Sequence, residues 1–225
     1  DCIQEKLGDK DWAKKIYKKA EKKVEDSSGL SSLADCLFEL GDKEWATRLY
    51  KKAEGTAETS DDFRSLGDSV YNNLGDKEWA KEIYKKAEGT AETSDDFDYL
   101  AYSIKKLGDK KWAKSIFQKA IDAAEDSPDL IQVAEEVAKP DFGDKEWAKC
   151  IYMQVIEQID ESEELCLVAV NVADSDEGLS DQKWAKEIFQ KAYEMAKDEA
   201  EYKMLEVAEC IAKNCDDKKY VKKIF

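Results

Sequence analysis

The sequence predicts an all-α protein, a right-handed α-solenoid of about seven antiparallel helix pairs in repeats of 33–37 residues. The first observation behind this prediction is a recurring phrase, Gly-Asp-Lys-x-Trp-Ala, found at Gly8–Ala13, Gly41–Ala46, Gly75–Ala80, Gly108–Ala113 and Gly143–Ala148, with a weaker copy at Ser180–Ala185. The second is the near-constant spacing of its aromatic residue, seen at Trp12, Trp45, Trp79, Trp112, Trp147, Trp184 and Tyr220. Such a period is typical of one supersecondary unit copied in tandem, each copy burying its apolar face on its neighbours. We therefore expect one solenoid over residues 1–225, with repeats at approximately 1–26, 27–59, 60–93, 94–126, 127–161, 162–199 and 200–225.

The second repeat shows how each pair of helices is encoded. A first helix is indicated by apolar residues at helical spacing, Leu30, Leu33, Ala34 and Leu37. Gly41 then provides a residue that accepts a positive φ angle and can end this helix, and the Asp42 side chain can cap the next one. The second helix has its own apolar stripe, made of Trp45, Ala46, Leu49, Tyr50 and Ala53. Because each Trp lies on that stripe, we expect it to pack between successive repeats.

The joint between one repeat and the next is also readable. A serine precedes an acidic or proline-led helix start at Ser60, Ser94, Ser127 and Ser162. Acidic side chains in a first turn interact favourably with the helix dipole, and Pro128 occupies the preferred first helical position.

These residues resemble the tetratricopeptide repeat family. The first-helix pattern is Leu30, Leu33-Ala34, Leu37 and Gly41. The second-helix pattern of Ala, aromatic and Ala recurs at Ala46/Tyr50/Ala53, Ala80/Tyr84/Ala87, Ala113/Phe117/Ala120 and Ala185/Phe189/Ala192. The chain departs from the family in two residue types: it lacks the proline that often ends a repeat, and it has the recurring Trp. It also has extra residues at Asn72/Asn73, Pro140-Asp141 and Asp174–Gly178. We expect these extra residues to loosen the repeat register locally. The resemblance implies protein binding and scaffolding rather than catalysis.

Composition narrows the possible partners. The net charge of −16 disfavours nucleic acid and anionic membrane surfaces, and no run of about 18 apolar residues suits membrane insertion. A basic or neutral protein partner is favoured, with solubility alone as the alternative explanation of the charge. The chain has no His, no CxxC pair and no Gly-rich phosphate loop, so we predict no enzyme activity, no metal and no cofactor. The acidic stretch after Asp174 lacks the Gly and Glu positions of a calcium-binding loop.

The six cysteines are predicted to be reduced thiols, because their spacing shows no close framework, although a disulfide-bonded chain is the alternative. Cys150 occupies a position that is polar in other repeats, so we expect it to be exposed. Cys36 and Cys210 fall at equivalent points and are expected to be small buried hydrophobic residues.

The first helices of tetratricopeptide folds line an inner groove, and matching positions predict a partner-binding surface here. It consists of Asp35, Phe38, Arg64, Asp68, Tyr71, Asp98, Tyr102, Lys105 and Glu135. We expect its three aromatic residues to form one row, with three aspartates beside them in water. Such a surface would suit a peptide carrying Lys or Arg, and the alternative is an unremarkable hydrated groove.

The sequence therefore predicts a non-enzymatic interaction scaffold that binds a peptide or partner chain in its concave groove. The rival hypothesis is a structural array. Both termini break in mid-repeat, so apolar ends could stack on other copies and build a fibre or lattice.

Overall fold

The computed structural model describes residues 10–199, 201–215 and 220–221, which contain twelve α-helices and no strand. The predicted all-α class is thereby confirmed. The chain divides into two compact units, the first ending at Lys119 and the second beginning at Ala120. The first six helices are α1 (Lys10–Glu21), α2 (Ser27–Glu39), α3 (Lys43–Glu54), α4 (Ser60–Ser69), α5 (Lys77–Thr90) and α6 (Ser94–Leu107). They are followed by α7 (Lys110–Ala123), α8 (Ser127–Ala138), α9 (Lys145–Gln158), α10 (Ser162–Ala173), α11 (Gln182–Ala196) and α12 (Glu201–Asn214). The two termini, where the repeat pattern breaks in mid-repeat, fall at residues 1–9 and 222–225, outside the described residues.

The turn inside each repeat forms as the recurring phrase predicts. The glycines Gly41, Gly75, Gly108 and Gly143 all have positive φ angles. The aspartate that follows each glycine accepts a hydrogen bond from the backbone N–H of the Trp three residues later, as in the 3.0 Å bond from Trp79 to Asp76. In the weaker copy Ser180 takes the positive φ angle instead, and Asp181 caps α11 in the same way. Local sequence alone therefore determines where each second helix begins.

The joint between repeats differs from the expectation in one respect. Ser60 and Ser94 are buried first residues of α4 and α6, and the caps are the threonines one position earlier. Thr59 is extended and accepts from the backbone of Asp62, while the Asp62 carboxylate accepts from the backbone of Thr59. This reciprocal pair satisfies two helix N–H groups at once, which explains why the helix begins at the serine.

Helices pack in antiparallel pairs, and the pairs stack in sequence order within each unit. In the first unit α2 contacts α3, α4 contacts α5, and the first helices α2, α4 and α6 contact one another in turn. In the second unit α8 contacts α9, α10 contacts α11, and α12 contacts both α10 and α11. Tyr50, Tyr84 and Tyr152 are the largest fully buried side chains. A Cβ on Gly67 would lie 2.4 Å from the Tyr84 ring, so a glycine is needed where α4 approaches α5.

Trp45, Trp79 and Trp112 lie between second helices of consecutive repeats, as predicted, whereas Trp12 is 42% exposed. The indole N–H of Trp79 donates to Glu54 at 2.8 Å, and Lys86 pairs with the same carboxylate at 2.7 Å. The equivalent bonds join Trp45 to Glu21 and Trp112 to Glu88. These indoles are half-buried rather than fully enclosed, so they combine apolar packing with a charge-assisted hydrogen bond.

Two of the three sets of extra residues bear on the candidate sites, and both have definite conformations. The residue added before Gly75 is absorbed in a π-helical turn, Val70–Leu74, which continues α4. The additional residues 174–178 form a loop after α10, where the Asp174 carboxylate accepts from the backbone N–H groups of Asp176 and Glu177 at 2.7 and 3.0 Å. Both departures bring polar side chains next to first helices, with consequences for the sites described below.

Candidate partner-binding surface

The three predicted aromatic residues do not occupy equivalent positions on their first helices. Phe38 and Tyr71 each lie eleven residues after the serine that begins their helix, whereas Tyr102 lies only eight residues after Ser94. The difference of three residues is nearly one helical turn. Tyr102 therefore lies level with Asp35 and Asp68, while Lys105 lies level with the other two aromatics. The prediction of three equivalent aromatic positions was wrong.

Asp35 is occupied by hydrogen bonds from within the protein. Its carboxylate accepts from the Tyr50 hydroxyl at 2.6 Å and from the Asn73 amide at 2.8 Å. The Ser69 hydroxyl donates to it at 3.4 Å. Since Asn73 and Ser69 belong to the next repeat, Asp35 joins its own second helix to the following first helix. Asn73 is placed there by the π-helical turn.

Asp68 repeats this arrangement one repeat later. Its carboxylate accepts from the Tyr84 hydroxyl at 2.7 Å, from Ser103 at 3.1 Å and from the Arg64 guanidinium at 3.0 Å. Burial raises the pKa of Tyr84, and the charge of Asp68 raises it further. The hydroxyl is consequently a stable donor, and the carboxylate serves to hold helices together.

Asp98 and Lys105 are also turned away from water. Asp98 is 4% exposed and Lys105 is 6% exposed, so neither presents a solvated charge. The expectation of an aspartate in water was wrong for Asp98, whereas Asp35 and Asp68 are half-buried and hydrogen-bonded within the protein. The physical reason is that these first-helix positions lie against neighbouring helices, where a carboxylate is stabilised only by donors that replace water.

The exposed part of this surface is aromatic. On α6, Tyr99 is 51% exposed and Tyr102 is 37% exposed. The Arg64 guanidinium carbon lies 5.9 Å from the Tyr99 ring centre, and the ammonium nitrogens of Lys105 and Lys106 lie 4.7 and 4.3 Å from the Tyr102 ring centre. Cation–π contacts of this kind restrict the ring orientations. Tyr99 was not among the predicted residues, although its spacing of three from Tyr102 on one helix was a signal that could have identified it.

The remaining predicted residues divide between the two units. Tyr71 reaches the same region, because its hydroxyl donates to the Lys106 carbonyl at 3.5 Å. Phe38 is half-buried next to the Lys43 ammonium, 5.3 Å from its ring centre. Glu135 lies in the second unit, on α8, and accepts a hydrogen bond from the Asn171 amide. Burial raises the pKa of Glu135, and the hydrogen bond from Asn171 opposes that rise.

The cysteines follow the prediction in part. Among the described residues no disulfide joins the cysteines Cys36, Cys150, Cys166, Cys210 and Cys215. Cys150 is exposed as expected, whereas Cys36 and Cys210 are half-buried rather than buried. A hydrogen bond from the Cys166 thiol lowers the pKa of Cys210 to about 7.

The described residues contain no cluster of three or more His, Cys, Asp or Glu side chains able to hold a metal ion. Within the same part of the chain, no helix has the length and apolar character needed to cross a membrane.

The fold is tetratricopeptide-like. This description is based on the tandem helix pairs with a glycine turn inside each pair. It is also based on the contact of a small first-helix residue, Gly67, with the second-helix tyrosine, Tyr84. Among solved structures, the chain is similar to the C-terminal part of a TPR repeat-containing protein from Cytophaga hutchinsonii, with 16% identity, a TM-score of 0.48, and coverage of 99% of this chain and 97% of that one. It is also similar to YrrB, described as a TPR protein with an unusual peptide-binding site, with 20% identity, a TM-score of 0.39, and coverage of 92% and 96%. No family model and no curated protein matches the sequence.

Proposed function

We propose that this protein is an interaction scaffold that binds a peptide or partner chain on the first-helix face of its first unit. The observation that carries the proposal is the exposed pair Tyr99 and Tyr102 on one face of α6, with Arg64 stacked on the first ring. Tyrosine and arginine are the residue types most enriched among side chains that dominate binding energy at interfaces. Tyr71 extends the same aromatic surface onto the neighbouring first helix.

The proposed surface is held in place before any partner binds. Asp68 fixes Arg64 through a 3.0 Å hydrogen bond and is itself held by the Tyr84 and Ser103 hydroxyls. A side chain that is already oriented loses less conformational entropy on binding, so more of its contact energy contributes to affinity. Asp68 thus serves binding indirectly, by orienting Arg64 beside the exposed Tyr99 ring.

The charge of the partner follows from the chain as a whole rather than from the three aspartates. The net charge of −16 favours a partner with basic residues, whose association rate should fall as salt rises. The acidic excess is uneven. Basic and acidic residues are nearly balanced in the first unit, whereas acidic residues outnumber basic ones about two to one in the second.

A displayed random-peptide library tests the proposal directly. Peptides enriched on the wild-type chain are measured by titration calorimetry against Tyr99→Ala/Tyr102→Ala and against Tyr202→Ala, a matched control because Tyr202 is 60% exposed in the second unit. We expect the double variant to weaken binding by more than about tenfold, since paired aromatic anchors contribute most of an interface's energy, and the control to have no effect. Equal affinities for all three proteins would disprove the proposed surface.

Self-association is a second candidate function that one observation favours. On α12, Tyr202 and Leu205 are 60% and 61% exposed and border an apolar depression of about 570 Å³ with Tyr193, Met204 and Ala208. Exposed apolar patches of this kind mark interaction surfaces. Light scattering over a concentration series tests it. Growth of the wild-type mass that Leu205→Glu abolishes supports the structural array, and a constant monomer mass refutes it.

A further inference from the structure

A polar cavity of about 110 Å³ lies in the second unit, between α8, α9, α10 and the loop of residues 174–178. Glu135 and Lys139 line it from α8, Tyr152 from α9, and Asn171 from α10. Glu177 and Gly178 close it from the loop. The added residues that break the repeat pattern therefore build one wall of this cavity.

Earlier repeats provide an internal comparison for this site. Tyr50 and Tyr84 stand five residues after their Trp, and each donates its hydroxyl to the aspartate eight residues into the preceding first helix, Asp35 or Asp68. In those two repeats a direct hydrogen bond to the aspartate therefore satisfies the tyrosine hydroxyl. A tyrosine paired in this way needs no water or ligand beside its hydroxyl.

The fifth repeat has the same tyrosine position but leaves its hydroxyl without a direct hydrogen bond. Tyr152 stands five residues after Trp147, and Glu135 stands eight residues into α8. The Glu135 carboxylate accepts from Asn171, and the fully buried Tyr152 hydroxyl forms no hydrogen bond to a described residue. Burial raises the pKa of Tyr152 and the charge of Glu135 raises it further, whereas the nearby Asn171 amide opposes that rise. A buried hydroxyl without a partner is unfavourable, so the site is completed by something that enters the cavity.

The size and rigidity of the cavity limit what can enter. One water takes up roughly 30 Å³ in the liquid, so the cavity holds about three or four waters or one small polar group. The loop that forms one wall packs closely against α10, since a Cβ on Gly178 would lie 1.9 Å from the Asn171 carbonyl oxygen. The Asp174 carboxylate accepts two backbone N–H groups of the loop and holds it in shape.

The charge of the cavity selects the sign of the ligand. Lys139 pairs with Glu136, and its positive charge also interacts with Glu135 and Glu177. The lining carboxylates of Glu135, Asp174 and Glu177 outnumber this one ammonium, so the lining stays negative, within the more acidic of the two units. An anion would be repelled, whereas a cation with N–H donors would satisfy the carboxylate oxygens and the tyrosine oxygen together.

We propose that this cavity binds a primary ammonium group, from either a small alkylamine or a lysine side chain. An ammonium has three N–H donors, which match the oxygens of Glu135, Tyr152 and Glu177. The site is separate from the aromatic surface of the first unit and does not depend on it. It gives the acidic second unit a binding role of its own.

Calorimetric titration of the full chain with butylammonium and with Nα-acetyl-lysine methylamide tests the proposal. We expect saturable binding of both probes, weakened at least tenfold by Glu135→Gln and severalfold by Tyr152→Phe. Tyr84→Phe is the matched control, because that hydroxyl is already paired and lies in the first unit. It should leave the affinity unchanged. Circular dichroism confirms that each variant is folded.

Tetramethylammonium has the same charge but no N–H donor, and it separates specific recognition from charge attraction. It should bind much more weakly than butylammonium. Comparable binding of both cations, the same affinity in all variants, or no saturable binding at millimolar concentrations would each overturn the proposal. A clear preference for the blocked lysine over butylammonium assigns the site to a partner's side chain, and equal affinity assigns it to a free amine.

Discussion

Replacing Tyr84 by phenylalanine should destabilise the protein and replacing Tyr152 should not, although both residues are fully buried at equivalent repeat positions. Tyr84 donates at 2.7 Å to the Asp68 carboxylate. Removing a hydrogen bond to a charged group costs about 1.5–3 kcal/mol, so Tyr84→Phe should lower the free energy of unfolding by that amount. Tyr152 has no such bond to a described residue. Tyr152→Phe removes a buried hydroxyl that is already costly, so it should be neutral or stabilising by up to about 1 kcal/mol.

Urea unfolding measures both effects, with native-state hydrogen exchange assigning each change to helices of the affected unit. Equal destabilisation by the two substitutions would refute the reasoning, because it would mean that the Tyr152 hydroxyl is paired as well as that of Tyr84. The pH dependence gives an independent check. Burial and the Asp68 charge raise the folded-state pKa of Tyr84, so its stabilising effect is complete below the unfolded pKa of about 10 and is lost as pH rises above it. The Tyr84→Phe variant should lose less stability than wild type in that alkaline range.

Further substitutions test the helix contacts, the caps and the thiols. Gly67→Ala should destabilise the protein by about 1–3 kcal/mol in a thermal or urea melt, because the added Cβ would overlap the buried Tyr84 ring. Gly89→Ala lies in a helix where no described residue would contact the added Cβ, so it should stabilise the protein by about 0.5–1 kcal/mol. The hydrogen bond from Lys149 lowers the pKa of Asp181, so its stabilising effect is present above the unfolded pKa of about 3.9 and is lost as pH falls through the folded-state value. Asp181→Asn should therefore show a shallower loss of stability below about pH 4 in acid titrations, and an unchanged slope would contradict the ion pair. Cys150 is exposed, so it should react fast with a water-soluble disulfide reagent. Cys150→Ser should remove that fast phase from the absorbance trace, and persistence of the phase would assign it to another thiol.

The predicted partner-binding surface shows where sequence reasoning stops being sufficient. The types of residue on the first helices were evident, but the role of each depended on contacts with residues 15 to 38 positions away, such as those that Tyr50 and Asn73 make with Asp35. Whether an aspartate faces water or a hydroxyl is decided by the neighbouring helix. The same limit explains why Asp98 was expected in solvent and is buried.

The sequence by itself determined the repeat, the helix pairs and the turns within them. Those features depend on interactions over three or four residues, for example the cap that Asp76 provides to Trp79 after the positive φ angle of Gly75. Tertiary structure alone decided which polar groups are paired. Tyr84 and Tyr152 have the same place in the repeat, yet a Glu in place of an Asp and the added loop at residues 174–178 leave the second hydroxyl facing a cavity. The reason is physical: a hydrogen bond requires two groups within about 3 Å, and only the packing of three helices sets that distance.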